Sequence, residues 1–294
     1  MSSKRDYQLG LIGWKLGHSL SPAMHNAALE ALALTGDYRL YSIDPADSGS
    51  LVDLLDKVRR GEIDGLNVTI PHKQNVMPLL DALTPTAEQI GAVNTIIRDK
   101  DKLLGDNTDA AGFLYDLENF FAAENIELLT KEKEALILGA GGAARAVVYA
   151  LAQAGWNVAI AARRVVQAAE LVESLGIGNA HVIDLTEQEI AALSPHLIVN
   201  ATPVGMFPQG DASPWPEGLV FPAGAAIYDL VYNPPITQLV AEAHAVNIPA
   251  ITGLGMLVEQ GAAAFQTWIG QESPRTVMRV ACKTALAAQT YPKG

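Results

Sequence analysis

The chain has 294 residues, 49% of them apolar, and 20 lysines and arginines against 32 aspartates and glutamates leave a formal net charge of −12. That length favours two domains, and the apolar content builds more than one packed core, which excludes global disorder. The acidic balance gives no electrostatic footprint for a nucleic-acid backbone or an anionic membrane, so an anionic ligand must be held by local donors.

The N-terminal run MSSKRDYQLGLIGW is basic but has no apolar stretch of leader length behind it, so no secretory signal is expected. From Tyr7 to Asp109, short apolar runs alternate with helical patterns. YQLGLIG reads as a strand, and SPAMHNAALEALAL as a helix with Ser21 at its N-cap and Pro22 at its first position. YRLYSID reads as a strand, SLVDLLDKVRR as an amphipathic helix and GLNVTI as a further strand. This alternation predicts an α/β unit with a mostly parallel sheet.

A second unit is expected from about Ala110 to Thr252, centred on ALILGAGGAARAVVYALAQAGWNVAIAARR. The stretch Ala135–Ala162 is apolar enough to raise a membrane helix. Four glycines and Arg145 interrupt it, and it divides into strand, turn, helix and strand. Further strands are expected around Val182, in LIVNAT and in AAIYDLVYN, with the Pro/Gly-rich PVGMFPQGDASPWPEG as a surface loop between the last two. From Gly255 the pattern is helical, with Met256 and Trp268 at core spacings. Cys282 is the only cysteine, so no intramolecular disulfide and no zinc knuckle can form, which suits a reducing cytoplasm.

Gly139, Gly141 and Ala144 form a G-x-G-x-x-A fingerprint that follows an apolar strand and opens a helix. Its glycines permit a tight turn and close approach to a pyrophosphate, which the helix N-terminus then meets with free N–H groups. The bland alternative is a turn whose glycines serve packing alone. The second strand ends in Ala161-Ala162-Arg163-Arg164, with no acid to bind a ribose 2′-hydroxyl and two arginines suited to a 2′-phosphate. The alternative for the arginines is a solvated helix start.

Three polar clusters stand where strands meet turns: His18–Pro22, Asn67–Lys73, and Asn94-Thr95 with Gly105–Asp109. Hydroxyls, amides, one lysine and carboxylates suit a small polyhydroxylated ligand, since each buried hydroxyl needs a partner. A lysine beside a reacting carbonyl oxygen, oriented by a carboxylate, can meet the charge that develops during hydride transfer. Against that, Lys73 reads as a solvated charge and Asp109 as a helix N-cap. His18, His25 and His72 match no zinc spacing, and no metal is expected.

HSLSPAMHNAAL, NVTIPHK, GAVNT, GDNTDAAG, LGAGGAARA, NATPVGM, YDLVYNP and GLGMLVEQGA occur in the order of the shikimate dehydrogenase family, which the chain resembles from Leu11 to about Trp268. The resemblance implies an α/β substrate domain of residues 1–109 and 254–294, joined to a Rossmann-type NADP domain of residues 110–253. The active site would lie in the cleft between them, with the tail packed back on the first domain. It implies that Ser19 and Ser21, helped by Tyr232, hold the substrate carboxylate. Thr69, Asn94, Asp109 and Gln260 would bind ring hydroxyls, and Lys73 with Asp109 would handle the proton. Gly139, Ala140, Gly141, Gly142 and Ala143 would cradle the pyrophosphate and Arg163 and Arg164 the 2′-phosphate. Leu230 and Gly253 would lie near the nicotinamide, and Thr202 would also bind the cofactor.

The implied reaction is reversible NADPH-linked reduction of 3-dehydroshikimate to shikimate, in chorismate and aromatic amino-acid biosynthesis, by a cytoplasmic monomer or homodimer without nucleic-acid or membrane partners. The alternatives are a quinate/shikimate dehydrogenase of broader substrate or NAD use, and a non-catalytic metabolite-sensing relative. The chain departs from the family at Lys15, where proline is usual, in the Ala162-Arg163-Arg164 turn, and at Gln167 in place of a basic residue.

Overall fold

Apolar runs become the strands of two six-stranded sheets among the described residues, one in each of two compact units. The computed structural model describes residues 5–128 and 132–290. Residues 1–4, where the run read for a leader begins, lie outside them. The first unit holds the chain up to Asp109 and again from Val258; the second runs from Ala110 to Leu257.

The first unit contains β1 (Asp6–Gly13), α1 (Ser21–Ala31), β2 (Thr35–Ser42), α2 (Ser48–Arg59), β3 (Gly65–Val68), α3 (His72–Asn75), β4 (Ala82–Leu83), α4 (Pro85–Ile90), β5 (Thr95–Asp99) and β6 (Lys102–Asp106). Its sheet order is β2-β1-β3-β5-β6-β4. β1 pairs in parallel with β2 and β3, but β5 lies antiparallel to both β3 and β6. The register sets Asn67 opposite Thr95, and Thr95 opposite Asp106. The carboxyl ends of β3 and β6 and the start of β5 therefore share one edge of the sheet, which is where the polar clusters collect.

The N-cap expected at Ser21 is corrected. Ser21 is already helical and the cap position is Leu20, which offers no side-chain acceptor. The Ser19 hydroxyl takes the Ser21 N–H instead, at 3.3 Å, and Pro22 supplies a preset φ in the first turn. The helix also stops at Ala31, short of the apolar pattern, because Ala33 turns left-handed (φ 52°) to start β2.

One face of this sheet buries Ile12, Leu54, Leu55, Val58, Leu66, Ile96 and Leu103. The second unit opens with α5 (Asp109–Ala123), whose first residue closes the first unit. It continues through β7 (Lys133–Leu138), α6 (Gly142–Gln153), β8 (Trp156–Ala162), α7 (Val165–Leu175), β9 (Ala180–Asp184), α8 (Glu187–Ala191), β10 (Leu197–Asn200), β11 (Ala226–Asp229), α9 (Gln238–Ala245) and β12 (Ala250–Thr252). The sheet is parallel throughout, ordered β12-β11-β10-β7-β8-β9, the doubly wound arrangement in which ligands bind beyond the strands' carboxyl ends. Leu136, Leu138, Ile198, Ile227 and Leu239 pack its core. β10 and β11 are shorter than their apolar runs, ending at Asn200 and Asp229. The residues that follow are free to form loops at the ligand-binding edge.

α10 (Leu254–Ile269) leaves the second unit and enters the first, followed by α11 (Arg275–Thr290), which packs along α1. Met256 and Trp268 are buried, in keeping with their helical spacing. The Trp268 indole N–H donates to the Ile96 carbonyl at 3.0 Å, and Glu259, itself buried, accepts from Arg275 and Arg279 at 2.9 Å each. The first bond ties α10 to the sheet and the other two tie it to α11, which holds the helix that carries Gln260. No helix of the described residues is long and apolar enough to cross a membrane.

Candidate active site

The short α3 carries Lys73 because Pro71 and the Thr69 carbonyl, which accepts the His72 N–H at 2.9 Å, turn the chain directly after β3. His72 is buried, with its Nε2 2.8 Å from the Ile43 carbonyl, and anchors that helix from below. Lys73 Nζ then lies 2.5 Å from Asp109 Oδ2, with the lysine side chain 16% and the aspartate 7% exposed. The ammonium is placed at a solvent-reachable rim while its counter-charge is fixed inside.

Asp109 is held in turn. Its backbone N–H donates to Asn107 Oδ1 at 3.0 Å, and its Oδ1 accepts from Asn94 Nδ2 at 2.8 Å. Asn94 also donates to Thr108 Oγ1 at 2.9 Å and to Gln260 Oε1 at 3.2 Å. Its amide oxygen accepts the Thr108 N–H at 2.8 Å and the Thr95 hydroxyl at 2.9 Å. Lys73, Asn94, Asp109 and Gln260, singled out separately along the sequence, thus form one hydrogen-bonded cluster. Of the residues that sequence reading gave no role, Thr95 and Thr108 fix the amide's orientation, and Asn107 holds the Asp109 backbone. Their signal was present as Asn and Thr side chains flanking each strand end.

The serine cluster joins this network through buried groups. Tyr38 is fully enclosed, its hydroxyl donating to Asn67 Oδ1 at 2.8 Å, and Asn67 donates to the Asn94 carbonyl at 3.2 Å. Burial pushes the Tyr38 phenol well above its usual range, with a hydrogen bond to the Ser21 side chain pulling the other way. His25 stacks on Tyr38, ring centroids 4.2 Å apart, and burial pushes its imidazole down to about 3, so the ring is neutral at physiological pH. Thr69 is part-buried just past β3, its N–H on the Ile12 carbonyl. Tyr232 belongs to the second unit, in the loop after β11.

In the second unit, Gly139 has φ +106°, and a Cβ there would meet Thr202 Cγ2 at 2.8 Å, so only glycine serves. A Cβ on Gly141 would meet nothing within 4 Å. Gly141 is also the N-cap of α6 and gives it no side-chain cap, leaving the first N–H groups of that helix for an anion. Ala140, Gly142 and Ala143 complete this turn, part-buried. Arg163 and Arg164 are exposed beyond β8 and line a surface depression with Val165, Val166, Gln167 and Glu170. Gly253 lies against Leu230, whose carbonyl oxygen would be 2.5 Å from an added Cβ. These residues fit a dinucleotide with a pyrophosphate at α6 and a phosphorylated ribose at the arginines. Among the described residues, no group of three or more His, Cys, Asp or Glu side chains could hold a metal ion.

Comparison with known proteins finds one family along most of the chain. Residues 11–96 match the shikimate dehydrogenase substrate binding domain, residues 121–205 the shikimate / quinate 5-dehydrogenase family, and residues 253–283 the shikimate 5'-dehydrogenase C-terminal domain. A shikimate dehydrogenase (NADP(+)) of Methanopyrus kandleri is 43% identical over 283 residues, covering 93% of each chain. The crystal structure of shikimate 5-dehydrogenase from Thermus thermophilus, in complex with NADP(H) and shikimate, is 40% identical. It superposes with a TM-score of 0.82, covering 95% of this chain and 100% of that one. A quinate dehydrogenase from Corynebacterium glutamicum in complex with NAD shares 32% identity over 95% of this chain and 100% of its own, with a TM-score of 0.84.

Proposed function

We propose that this chain, which belongs to the shikimate dehydrogenase family, is an NADP-dependent oxidoreductase that interconverts 3-dehydroshikimate and shikimate, a step of aromatic amino-acid biosynthesis. The first unit is the substrate domain and the second the cofactor domain. NADPH, when bound, supplies the hydride. The observation that carries the reading is the Lys73–Asp109 pair at the rim of a buried amide and hydroxyl network.

Each group has a physical task. Asn94, Asp109, Thr69 and Gln260 offer donors and acceptors for ring hydroxyls, and the bonds from Thr95 and Thr108 hold Asn94 before substrate arrives. Lys73 holds a proton beside the reacting oxygen and releases it as charge develops there; in the reverse direction it takes the proton back. Asp109 keeps the ammonium aimed. Ser19 and Ser21 bind the carboxylate in the first unit, and the anion-receptive turn at Gly139–Ala143 binds the pyrophosphate in the second. Thr202, Leu230 and Gly253 line the nicotinamide end. A net charge of −12 disfavours nucleic acid as a partner, and the lone buried thiol of Cys282, pushed up to about 12 by burial, suits a cytoplasmic setting.

The test is shikimate-dependent reduction of NADP⁺ by the purified chain, run beside quinate and NAD⁺. Turnover fastest with shikimate and NADP⁺ is expected; no turnover with any pair overturns the reading.

The carboxylate does not change charge in the reaction, so the serines contribute uniform binding. Ser19→Ala and Ser21→Ala are each expected to raise the shikimate KM by about 10-fold, with a smaller loss of kcat. Steady-state kinetics check this, and an unchanged KM in both variants would place the carboxylate elsewhere.

A further inference from the structure

We propose that Asp229 is a positioning residue for hydride transfer, its buried carboxylate holding the loops after β10 and β11 so that Thr202 and Leu230 stand where the nicotinamide end of the cofactor binds. The inference rests on the cofactor site assigned above and extends it to a residue that touches neither substrate nor cofactor.

Asp229 ends β11 with no exposed surface, and its contacts are neutral donors. Oδ1 accepts from Asn200 Nδ2 at 2.8 Å and from the Val231 N–H at 3.0 Å, while Oδ2 accepts from the Thr237 hydroxyl at 2.6 Å. Burial pushes this carboxyl up to about 6 while those three bonds pull it down. A carboxyl kept so deep without a cation is costly to the fold, and a hydrophobic side chain would fill the same space without that cost. What the carboxylate provides is geometry, since one side chain ties three segments together.

Those segments are the ones that matter. Asn200, at the end of β10, turns its amide oxygen to the Thr202 N–H at 3.0 Å and the Thr202 hydroxyl at 2.7 Å, and its Nδ2 also reaches the Val204 carbonyl. The orientation of the Asn200 amide therefore sets the position of Thr202, and Asp229 sets that orientation by claiming the Nδ2 end. Thr202 in turn abuts Gly139 of the pyrophosphate turn. On the other side, the Val231 N–H bond curls the chain back after Asp229, fixing Leu230, whose N–H donates to the Asn200 carbonyl at 2.9 Å and whose backbone packs on Gly253. Thr237 is the N-cap of α9, so the third bond anchors the far end of the same loop. Strand ends from β7, β10, β11 and β12 are thereby held in one arrangement through a single carboxylate.

The test uses the full chain with NADP and shikimate, and adenosine 2′,5′-bisphosphate as a probe that lacks the nicotinamide end. Asp229→Ala is expected to lower kcat by about 10-fold or more and to weaken NADP binding. Affinity for the bisphosphate, read by calorimetry, should stay within about twofold, because its contacts lie at α6 and the arginines. Asp229→Asn keeps an oxygen for Asn200 and Val231 and can meet Thr237 with its amide, so it is expected to recover most of the lost rate. Thr237→Val should lower kcat several-fold, again sparing the bisphosphate. A role in folding alone would lower thermal stability and scale NADP and bisphosphate binding together, and that result overturns the proposal, as does an Asp229→Ala variant with kcat preserved. If Asp229→Ala does not fold, Thr237→Val decides: an unchanged kcat overturns the proposal. Should the unmodified chain fail to turn over shikimate, it is the functional assignment that falls. The ratio of NADP to bisphosphate affinity then still reads Asp229, and a ratio unmoved by Asp229→Ala overturns its role.

Discussion

Lys73→Ala is expected to lower kcat by about 10²–10⁴-fold while the shikimate KM moves much less. The reasoning is that the ammonium matters most when negative charge appears on the reacting oxygen, and much less in the ground state, where that oxygen is uncharged. Lys73 is positioned for that by Asp109 at 2.5 Å and by a short helix fixed at its base by His72. Removing the side chain also strands Asp109, but its carboxylate keeps the Asn94 amide and the bond from its own backbone to Asn107, so the fold should survive. Equal thermal stability of variant and parent, with single-turnover kinetics, separates chemistry from binding. A kcat within a few-fold of the parent would remove Lys73 from the reaction.

The double change Arg163→Ala, Arg164→Ala is expected to raise the KM for NADP by about 10- to 100-fold and to leave the KM for NAD nearly unchanged. Both guanidinium groups stand beyond the end of β8, where Ala161 and Ala162 offer no carboxylate to compete for the ribose. Charge-assisted bonds to a 2′-phosphate would be partly screened there, because both side chains are exposed. Glu170 shares the same depression and repels a phosphate, and Gln167 adds no positive charge. A moderate preference for NADP follows. Equal losses for both cofactors would mean that the arginines support the adenine or the fold instead.

Much of this was legible in the residues, and the parts that were not have specific causes. Unbroken apolar runs around the glycine fingerprint announced the parallel sheet of the second unit, since strands buried on both faces need no polar alternation. The β5–β6 hairpin went unread because its turn, Asp99-Lys100-Asp101-Lys102, lacks the Asn-Gly or Asp-Gly signature, and Lys100 takes the left-handed conformation without it. Ser21 was misplaced as a cap because a serine before proline carries that signal whether or not its hydroxyl is already engaged elsewhere. For the site, Lys73, Asn94, Asp109 and Gln260 were identifiable as motif residues, but their convergence was not. Gln260 lies 166 residues from Asn94 in sequence, and only the return of α10 to the first sheet brings them together. Asp229 lay inside the YDLVYNP motif but drew no role, since one aspartate closing an apolar strand looks like any strand terminus.

The placement of α10 and α11 also bears on the order in which the chain can complete itself during synthesis. The second unit is one continuous segment, Ala110 to Leu257, and it finishes emerging while the first still lacks everything from Val258 onward. Until then Met24, His25 and Leu29 on α1, together with the sheet beneath them, wait for Phe265, Trp268 and α11 to arrive. The usual sequence of N-terminal unit first is therefore reversed: the unit that binds cofactor can close before the one that binds substrate. A chain that ended ahead of Trp268 would have its second unit complete and, on its first, an apolar face uncovered and open to aggregation.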